Sequence, residues 1–281
     1  MKIHLSYLIL ISSGLLFLLG CNSKKEIPEN LQFGHRGSGA GVYQNKFIEN
    51  TKSSVLNALN HLDGCEIDIQ MSREGTIWVY HDDDINHFCD TTKRPVCIPQ
   101  SNDSFIASAL QCREGISDRI YRLEEIFKLF TTNEFKDKYL SLDVKGYFQS
   151  TCFEARNAPE DYFKEMATNF CKLVKQYKLS DQLIIETNYT NFMDFVKEEI
   201  PAIRCHLIGY EDFEDKIEKA LAKNYEGISF SMFSDDLDKA AISKAKKEGL
   251  EVQIWPINNR EMLQRAKELK PFAMQLSKIE F

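Results

Sequence analysis

Two short segments of the chain alternate apolar and polar residues. Between residues 65 and 71, Ile67 and Ile69 alternate with Glu66 and Asp68. Successive side chains of a strand point to opposite faces, so this pattern predicts a strand with its acids on one face. An antiparallel strand could expose those acids to water, whereas strands of a buried parallel sheet are usually apolar on both faces. In a parallel sheet the acids would need a partner, and a divalent cation is the obvious one because uncompensated buried charge is costly.

A second segment, residues 139–145, repeats the pattern. Its apolar residues share one face, while Asp143 and Lys145 lie on the other. An acid and a base on one face of a second strand make a solvent-facing surface a weaker explanation. The first predicted strand, 31–34, leads directly to His35, so a titratable residue again stands beside a strand-like run.

The rest of the chain alternates between helical and strand-like periodicity. Helices are predicted near residues 123–132, 160–178, 190–199, 211–223, 235–247 and 259–269, and strands near 140–144, 182–187, 203–208, 227–231, 251–255 and 272–276. With the first two strands this makes eight. Regular alternation predicts a parallel sheet of the α/β class, and eight units favour closure into a TIM (β/α)8 barrel. Few residues follow the last strand, so we expect the final helix of the barrel to be missing.

The stretch of residues 88–120 has no strong periodicity. We interpret it as a small insertion after the second strand, on the face that carries the active site, where barrel enzymes vary their substrate choice. It contains Cys89, Cys97 and Cys112, and one disulfide among them is expected if the protein is exported. The pairing stays open because sequence alone does not determine it.

The N-terminal residues 1–20 contain one lysine and then an apolar run that is too short for a typical membrane span. The run ends in Leu-Leu-Gly-Cys, which resembles the bacterial lipobox. We therefore interpret 1–20 as a lipoprotein signal peptide, Cys21 as the lipidated residue, 21–30 as a tether and 31–281 as the barrel. An ordinary secretory signal or an uncleaved anchor is the alternative. This interpretation predicts an exported protein, lipid-anchored to the cell envelope on the periplasmic or surface side of the outer membrane.

The charge balance argues against one class of partner. The 281 residues carry a net charge of −7 and show no basic stripe, so we expect no nucleic-acid binding. The absence of a Cys-x-x-Cys pair argues against a zinc ribbon or a thioredoxin-type site. Nothing in the sequence determines the oligomeric state.

Five short motifs, in order, resemble those of the glycerophosphodiester phosphodiesterase family. They are His35-Arg36-Gly37, Glu49-Asn50-Thr51, Glu66-x-Asp68, His81-Asp82 and Asp143-x-Lys145. Two later segments, 122–126 and 254–258, fit as well, so the resemblance extends over nearly all of the predicted barrel. The chain departs from the family at two points. The family generally has Glu at the position of Asp143, and residues 274–278 lack the Thr-Asp pair that typically follows the last strand.

The resemblance implies roles for the acids and the histidines. His35 and His81 would be the catalytic acid and base, and the sequence does not say which is which. Glu66, Asp68 and Asp143 would bind a divalent cation, Ca²⁺ in preference to Mg²⁺, since hard oxygen ligands suit these ions better than Zn²⁺. A structural salt bridge between Asp143 and the neighbouring lysine is the alternative to metal binding.

The resemblance also implies a set of substrate-binding and supporting residues. Arg36 and Lys145 would bind the phosphate, and Trp255 would line the pocket unless it is a core residue. Glu49 would lie near the metal, or instead cap a helix or orient Arg36. Asn50 would organise the loop.

The implied reaction is metal-dependent hydrolysis of a glycerophosphodiester to sn-glycerol 3-phosphate and an alcohol, which the sequence does not name. The glycerol hydroxyl of the substrate would attack, and water would then open the resulting cyclic phosphate. Two alternatives stay open. One is a phospholipase D-like enzyme that acts on lysophospholipids. The other is a noncatalytic lipoprotein that binds phosphodiesters, although a binding protein does not need an acid/base pair.

Overall fold

The computed structural model describes residues 28–40, 46–85, 89, 96–113, 115–146 and 159–280. The predicted signal peptide, Cys21 and most of the predicted tether lie outside these ranges. Among the residues described, no helix is both long and apolar enough to cross a membrane.

The strands of the described chain form one closed ring, two further strands that extend its sheet, and a separate two-stranded hairpin. In order they are β1 (Leu31–Gly34), β2 (Gly64–Met71), β3 (Ile77–Val79), β4 (Leu110–Arg113), β5 (Ile116–Arg119), β6 (Tyr121–Arg122), β7 (Tyr139–Val144), β8 (Leu183–Thr187), β9 (Arg204–Gly209), β10 (Gly227–Ser231), β11 (Glu251–Ile257) and β12 (Ala273–Leu276). β1, β2 and β7 to β12 run parallel, and the ring closes because β1 pairs with both β12 and β2. The predicted TIM barrel is therefore confirmed.

The acid-bearing strand β2 lies inside this barrel. All of its residues are buried. It pairs in parallel with β7, which places Asp68 opposite Asp143, and only its last residues pair in antiparallel fashion with β3. The alternative of a solvent-exposed antiparallel strand is therefore wrong.

Helices cover the outside of the barrel. They are α1 (Lys52–His61), α2 (Asp103–Ser108), α3 (Leu123–Phe130), α4 (Pro159–Tyr177), α5 (Thr190–Glu199), α6 (Phe213–Ala222), α7 (Lys239–Lys247) and α8 (Arg260–Leu269). Val55 and Leu59 of α1 share a buried core with Ile67 and Ile69 of β2, so the outer faces of the strands bury the apolar faces of the helices. As expected, the described residues after β12, 277–280, form no helix.

An insertion separates β2 from α3. In it, β3 pairs with β2 and β6, and β4 and β5 form a separate hairpin. A disulfide joins Cys89 to Cys112 of β4, which confirms the expected disulfide in this stretch. The crosslink ties the hairpin to the start of the insertion.

Candidate active site

Three carboxylates meet inside the barrel. Glu66 and Asp68 project from β2 and Asp143 from β7, and one oxygen atom of each lies within 4.8 Å of the others. The two-residue period of the strand places the first two on one inward face, and the parallel register sets Asp143 beside Asp68. Glu66 and Asp68 are buried, whereas Asp143 keeps partial exposure. The structure thus brings together all three predicted metal ligands.

The electrostatics of this acidic cluster favour a bound cation. Burial raises the pKa of Glu66 well above its ordinary value, and the neighbouring charges of Asp68, Glu186 and Asp143 raise it further. The Oε1 atom of Glu66 is buried and has no hydrogen-bond partner within the described part of the chain. Three carboxylates and an unpartnered buried oxygen fit a hard divalent cation, whose preferred ligands are oxygens.

Lys145 supplies positive charge to the same cluster. Its Nζ atom lies 3.0 Å from Asp68 Oδ1 and 2.5 Å from Asp143 Oδ2. The Asp143–Lys145 salt bridge that the sequence left open is therefore present. Burial raises the pKa of Asp143, and Lys145 opposes that shift. Lys145 contacts Asp68 and Asp143, and the salt bridge does not supply a partner for Oε1 of Glu66. The Asp143–Lys145 salt bridge alone therefore does not explain why three carboxylates meet here.

Asn50 holds Asp68 in place. Its Nδ2 donates to Asp68 Oδ2 at 2.8 Å, and the Asp68 backbone N–H donates to Asn50 Oδ1 at 3.0 Å. Burial opposes ionisation of Asp68, but the charges of Lys145, His81 and Arg36 hold its pKa below the ordinary range. Asp68 is thus an oriented, ionised carboxylate, as a metal ligand should be.

Arg36 lies in the tight loop after β1. Its backbone N–H donates to Glu66 Oε2 at 2.8 Å, and its Nη1 donates to Glu49 Oε1 at 2.7 Å. Gly37 follows with a φ of 91°, and a Cβ there would lie 2.3 Å from Ser54 Oγ, so the loop requires glycine. Of the roles left open for Glu49, the structure favours the orientation of Arg36.

The two predicted catalytic histidines have different surroundings. The Nε2 atom of His35 lies 3.8 Å from Glu66 Oε2, and no described residue forms a hydrogen bond with its Nδ1. Burial, assisted by the charge of Arg36, lowers the pKa of His35 to about 3, so its ring is neutral at pH 7. His81 is more exposed, and its Nδ1 lies 2.7 Å from Asp82 Oδ1. Only one of the two histidines therefore has a carboxylate within hydrogen-bonding distance that can fix its ring.

A comparison with known families decides the assignment. Residues 35–274 match the model of the "Glycerophosphoryl diester phosphodiesterase family". The chain belongs to this family. It is accordingly an enzyme of the phosphoric diester hydrolase class.

Individual relatives of this glycerophosphodiester phosphodiesterase family are distant in sequence and close in fold. A glycerophosphodiester phosphodiesterase of Caldanaerobacter subterraneus subsp. tengcongensis is 20% identical over 239 residues, which are 84% of this chain and 89% of that protein. A candidate glycerophosphoryl diester phosphodiesterase from Silicibacter pomeroyi has a TM-score of 0.76 at 15% identity, with 91% of this chain and 92% of that chain covered. A phosphodiesterase of Oleispira antarctica, solved with the product sn-glycerol-3-phosphate, has a TM-score of 0.71 at 17% identity, with 89% and 93% covered.

Trp255 is the remaining predicted substrate-binding residue. It lies near the C-terminal end of β11 and is partly buried. Its ring packs edge-on against Tyr210, with 5.3 Å between the ring centroids. In this member of the family, contact between Trp255 and substrate stays a prediction.

Sequence reasoning missed the residue that shapes the loop of His81. Gln70 Nε2 donates to the carbonyl oxygens of Tyr80 and Asp82, at 3.0 and 2.7 Å. The side chain thereby fixes the backbone on both sides of the histidine. The signal was available, because Gln70 falls on the same face of β2 as the two acids.

Glu186 was missed as well. It is a buried acid on β8, paired in register with Asp143. Gln275 Nε2 donates to both of its carboxylate oxygens, and the hydroxyl groups of Ser141 and Ser229 bond to it too. Burial, together with the charge of Asp143, raises the pKa of Glu186 to about 7 although these hydrogen bonds lower it. The sequence pattern that could have revealed Glu186 is a single acid near the end of an otherwise apolar strand.

A pocket of about 230 Å³ adjoins the cluster. Arg36, Asn50 and His81 line it from the barrel side, and Gln111 and Arg113 of β4 line it from the insertion. The expected position of the insertion, beside the substrate pocket, agrees with this arrangement.

Proposed function

We propose that the enzyme hydrolyses glycerophosphodiesters to sn-glycerol 3-phosphate and an alcohol with the help of a bound divalent cation. The observation that carries this proposal is the carboxylate triad of Glu66, Asp68 and Asp143, with the buried Oε1 of Glu66 unpartnered among the described residues, next to a neutral His35 and to Arg36. The product found in the Oleispira antarctica relative supports the same substrate class.

His35 would accept the proton of the attacking glycerol hydroxyl, because its ring is neutral at pH 7. His81 would give a proton to the leaving alcohol, since the Asp82 carboxylate, 2.7 Å from its Nδ1, fixes the orientation of the ring. The attack forms a cyclic phosphate and releases the alcohol. In the second step His81 takes a proton from water, and His35 returns its proton to the glycerol oxygen. Each histidine thus ends the cycle as it began.

The phosphate would bind between Arg36 and Lys145. Glu49 orients the guanidinium group of Arg36, whose planar geometry matches two phosphoryl oxygens. A cation held by the three carboxylates would neutralise charge that develops on those oxygens. We favour Ca²⁺ over Mg²⁺, because Ca²⁺ accepts irregular oxygen coordination and Mg²⁺ requires a near-octahedral arrangement. Trp255 would contact the glycerol or the alcohol.

A second candidate function is cleavage of lysophospholipids in the manner of a phospholipase D. Tyr210 and Phe233 are 59% and 66% exposed and follow β9 and β10 directly or within a few residues, on the side of the barrel where the strands end. Exposed aromatic side chains at that face could contact an acyl chain. The noncatalytic alternative has no comparable support, since both histidines are retained.

Lipid anchoring at Cys21 is a separate proposal, which rests on the lipobox-like N-terminus alone. It predicts that the protein incorporates labelled palmitate in a bacterial host and that Cys21→Ala abolishes the label. Equal labelling of both proteins would contradict it.

The test of the proposed function uses a soluble form that starts after Cys21. We would measure glycerol 3-phosphate release from glycerophosphocholine, glycerophosphoethanolamine and glycerophosphoglycerol in EDTA and after addition of Ca²⁺ or Mg²⁺. Release that a metal restores is the expected result. Failure with every metal, combined with cleavage of lysophospholipids, would favour the second candidate.

A further inference from the structure

The pocket beside the acidic cluster has two unlike walls. One wall contributes Arg36 and His81, which belong to the proposed catalytic centre. The other wall is the β4–β5 hairpin of the insertion, through Gln111 and Arg113. A group bound between these walls would lie next to the phosphate without needing to contact the metal ligands.

Gln111 is one of the residues that line this pocket. Its side chain is only 5% exposed, and its Nε2 atom is buried without a hydrogen-bond partner among the residues that the structure describes. Buried amide groups are normally paired, because an unpaired one forfeits its bonds to water. An unpaired amide that lines a pocket is therefore explained if a ligand completes its bonding.

Arg113 adds a cationic group on the same strand. Its Nη1 lies 3.2 Å from Glu49 Oε2, and the other carboxylate oxygen of Glu49 binds Arg36. One carboxylate therefore faces two guanidinium groups. The second carboxylate of the pocket, Asp82, faces His81. The described acids that line the pocket, Glu49 and Asp82, are thus paired with basic groups of the protein.

The pocket has little to offer a quaternary ammonium group. Among the described residues that line it, Tyr80 is the aromatic one, and this side chain is 4% exposed with its hydroxyl donating to the Asp84 carbonyl. Ammonium recognition relies on exposed aromatic faces or on unpaired carboxylates. Amide and guanidinium donors instead complement hydroxyl or carboxylate oxygens.

We propose that Gln111 and Arg113 form the subsite for the alcohol part of the diester and select alcohols that carry hydroxyl or carboxylate oxygens over choline. This inference rests on the proposed function and specifies its substrate class. The hairpin is suited to the role because the Cys89–Cys112 disulfide holds it in place next to both residues. Gln111 and Arg113 face the same side of β4 in a two-residue period, so one strand presents both donors.

The test compares the wild type with Gln111→Met, which keeps the length of the side chain and removes its donors. We expect kcat/KM for glycerophosphoglycerol to fall about tenfold and that for glycerophosphocholine to change less than about twofold, in line with the loss of one hydrogen bond. Arg113→Met should produce the same selectivity with glycerophosphoserine, whose carboxylate the guanidinium would bind. The matched control is Gln264→Met, the same change at an exposed position of α8, which should leave both substrates unaffected.

Equal losses with both diesters would overturn the inference, because they would indicate a purely structural role. Failure of the proposed function has a different signature, namely a wild type that cleaves neither diester. Calorimetric binding of the intact diesters in the presence of Ca²⁺ then decides: tighter binding of glycerophosphoglycerol that Gln111→Met abolishes supports the subsite. Equal binding of both diesters by both proteins contradicts it.

Discussion

The barrel buries the carboxylates of Glu186 and Glu66 at neighbouring places, and their hydrogen bonding differs. Glu186 receives hydrogen bonds from uncharged donors on three strands: Ser141, Ser229 and Gln275. Glu66, in contrast, keeps a buried oxygen that no described residue contacts through a hydrogen bond. Burial is unfavourable for the charge of either carboxylate, but hydrogen-bond donors of the fold compensate only Glu186. A carboxylate that the fold leaves unsatisfied marks a ligand site, whereas a satisfied one is part of the architecture.

The largest effect should come from the histidines next to the unsatisfied site. His35→Ala and His81→Ala should each lower kcat by about a hundredfold to ten-thousandfold, because proton transfer by a positioned group contributes that much. Ca²⁺ binding should persist in both variants. Steady-state kinetics measures the loss of kcat, and calorimetry measures the retained Ca²⁺ binding. Unchanged turnover in both variants would contradict the proposed mechanism.

Substitution of Glu186 should change the stability of the protein more than its catalytic rate. Glu186→Ala leaves three groups of buried donors without an acceptor and opens a cavity, so the free energy of unfolding should fall by about 3 kcal/mol. Urea denaturation in EDTA measures the change. Glu186→Gln keeps the shape and serves as the control with a smaller loss. If Glu186→Ala were as stable as the wild type, the network would not be structural.

The pH dependence of stability sharpens the same contrast. The pKa of Glu186 is about 7 in the folded protein, above the ordinary value of 4.5, so the folded state binds more protons than the unfolded state between these pH values. This contribution is fully present below pH 4.5 and is lost as the pH rises through 7. The Tm of the wild type relative to Glu186→Gln should therefore fall over this window in EDTA. A constant difference would show that Glu186 titrates normally.

The smallest effect concerns the departure from the family at Asp143. Asp143→Glu restores the residue that the family generally carries and lengthens the side chain by one methylene. Because Asp143 also pairs with Lys145, we expect the Ca²⁺ affinity to change by about tenfold or less. Titration calorimetry measures it, and a complete loss of binding would show that this site is built around the shorter acid.

The extent to which sequence predicts this molecule differs between the barrel and its insertion. The barrel strands and the inward acids follow from local periodicity, because strand alternation fixes the face of Glu66 and Asp68 from neighbouring residues alone. Glu186 escaped notice because its partners Ser141, Ser229 and Gln275 come from distant strands. Gln111 escaped notice for a related reason: its pocket exists only where the insertion folds back towards Arg36, and the insertion has no periodicity to predict that approach.

The most direct test of the central claim is a Ca²⁺ titration of three proteins by calorimetry, with glycerol 3-phosphate release followed in parallel. We expect the wild type to bind one Ca²⁺ and to release glycerol 3-phosphate, and His35→Ala to bind Ca²⁺ with similar affinity without turnover. Asp68→Asn, which removes an oriented, ionised ligand, should neither bind Ca²⁺ nor turn over. Wild-type Ca²⁺ affinity in Asp68→Asn would contradict the claim that the triad of Glu66, Asp68 and Asp143 is the metal site.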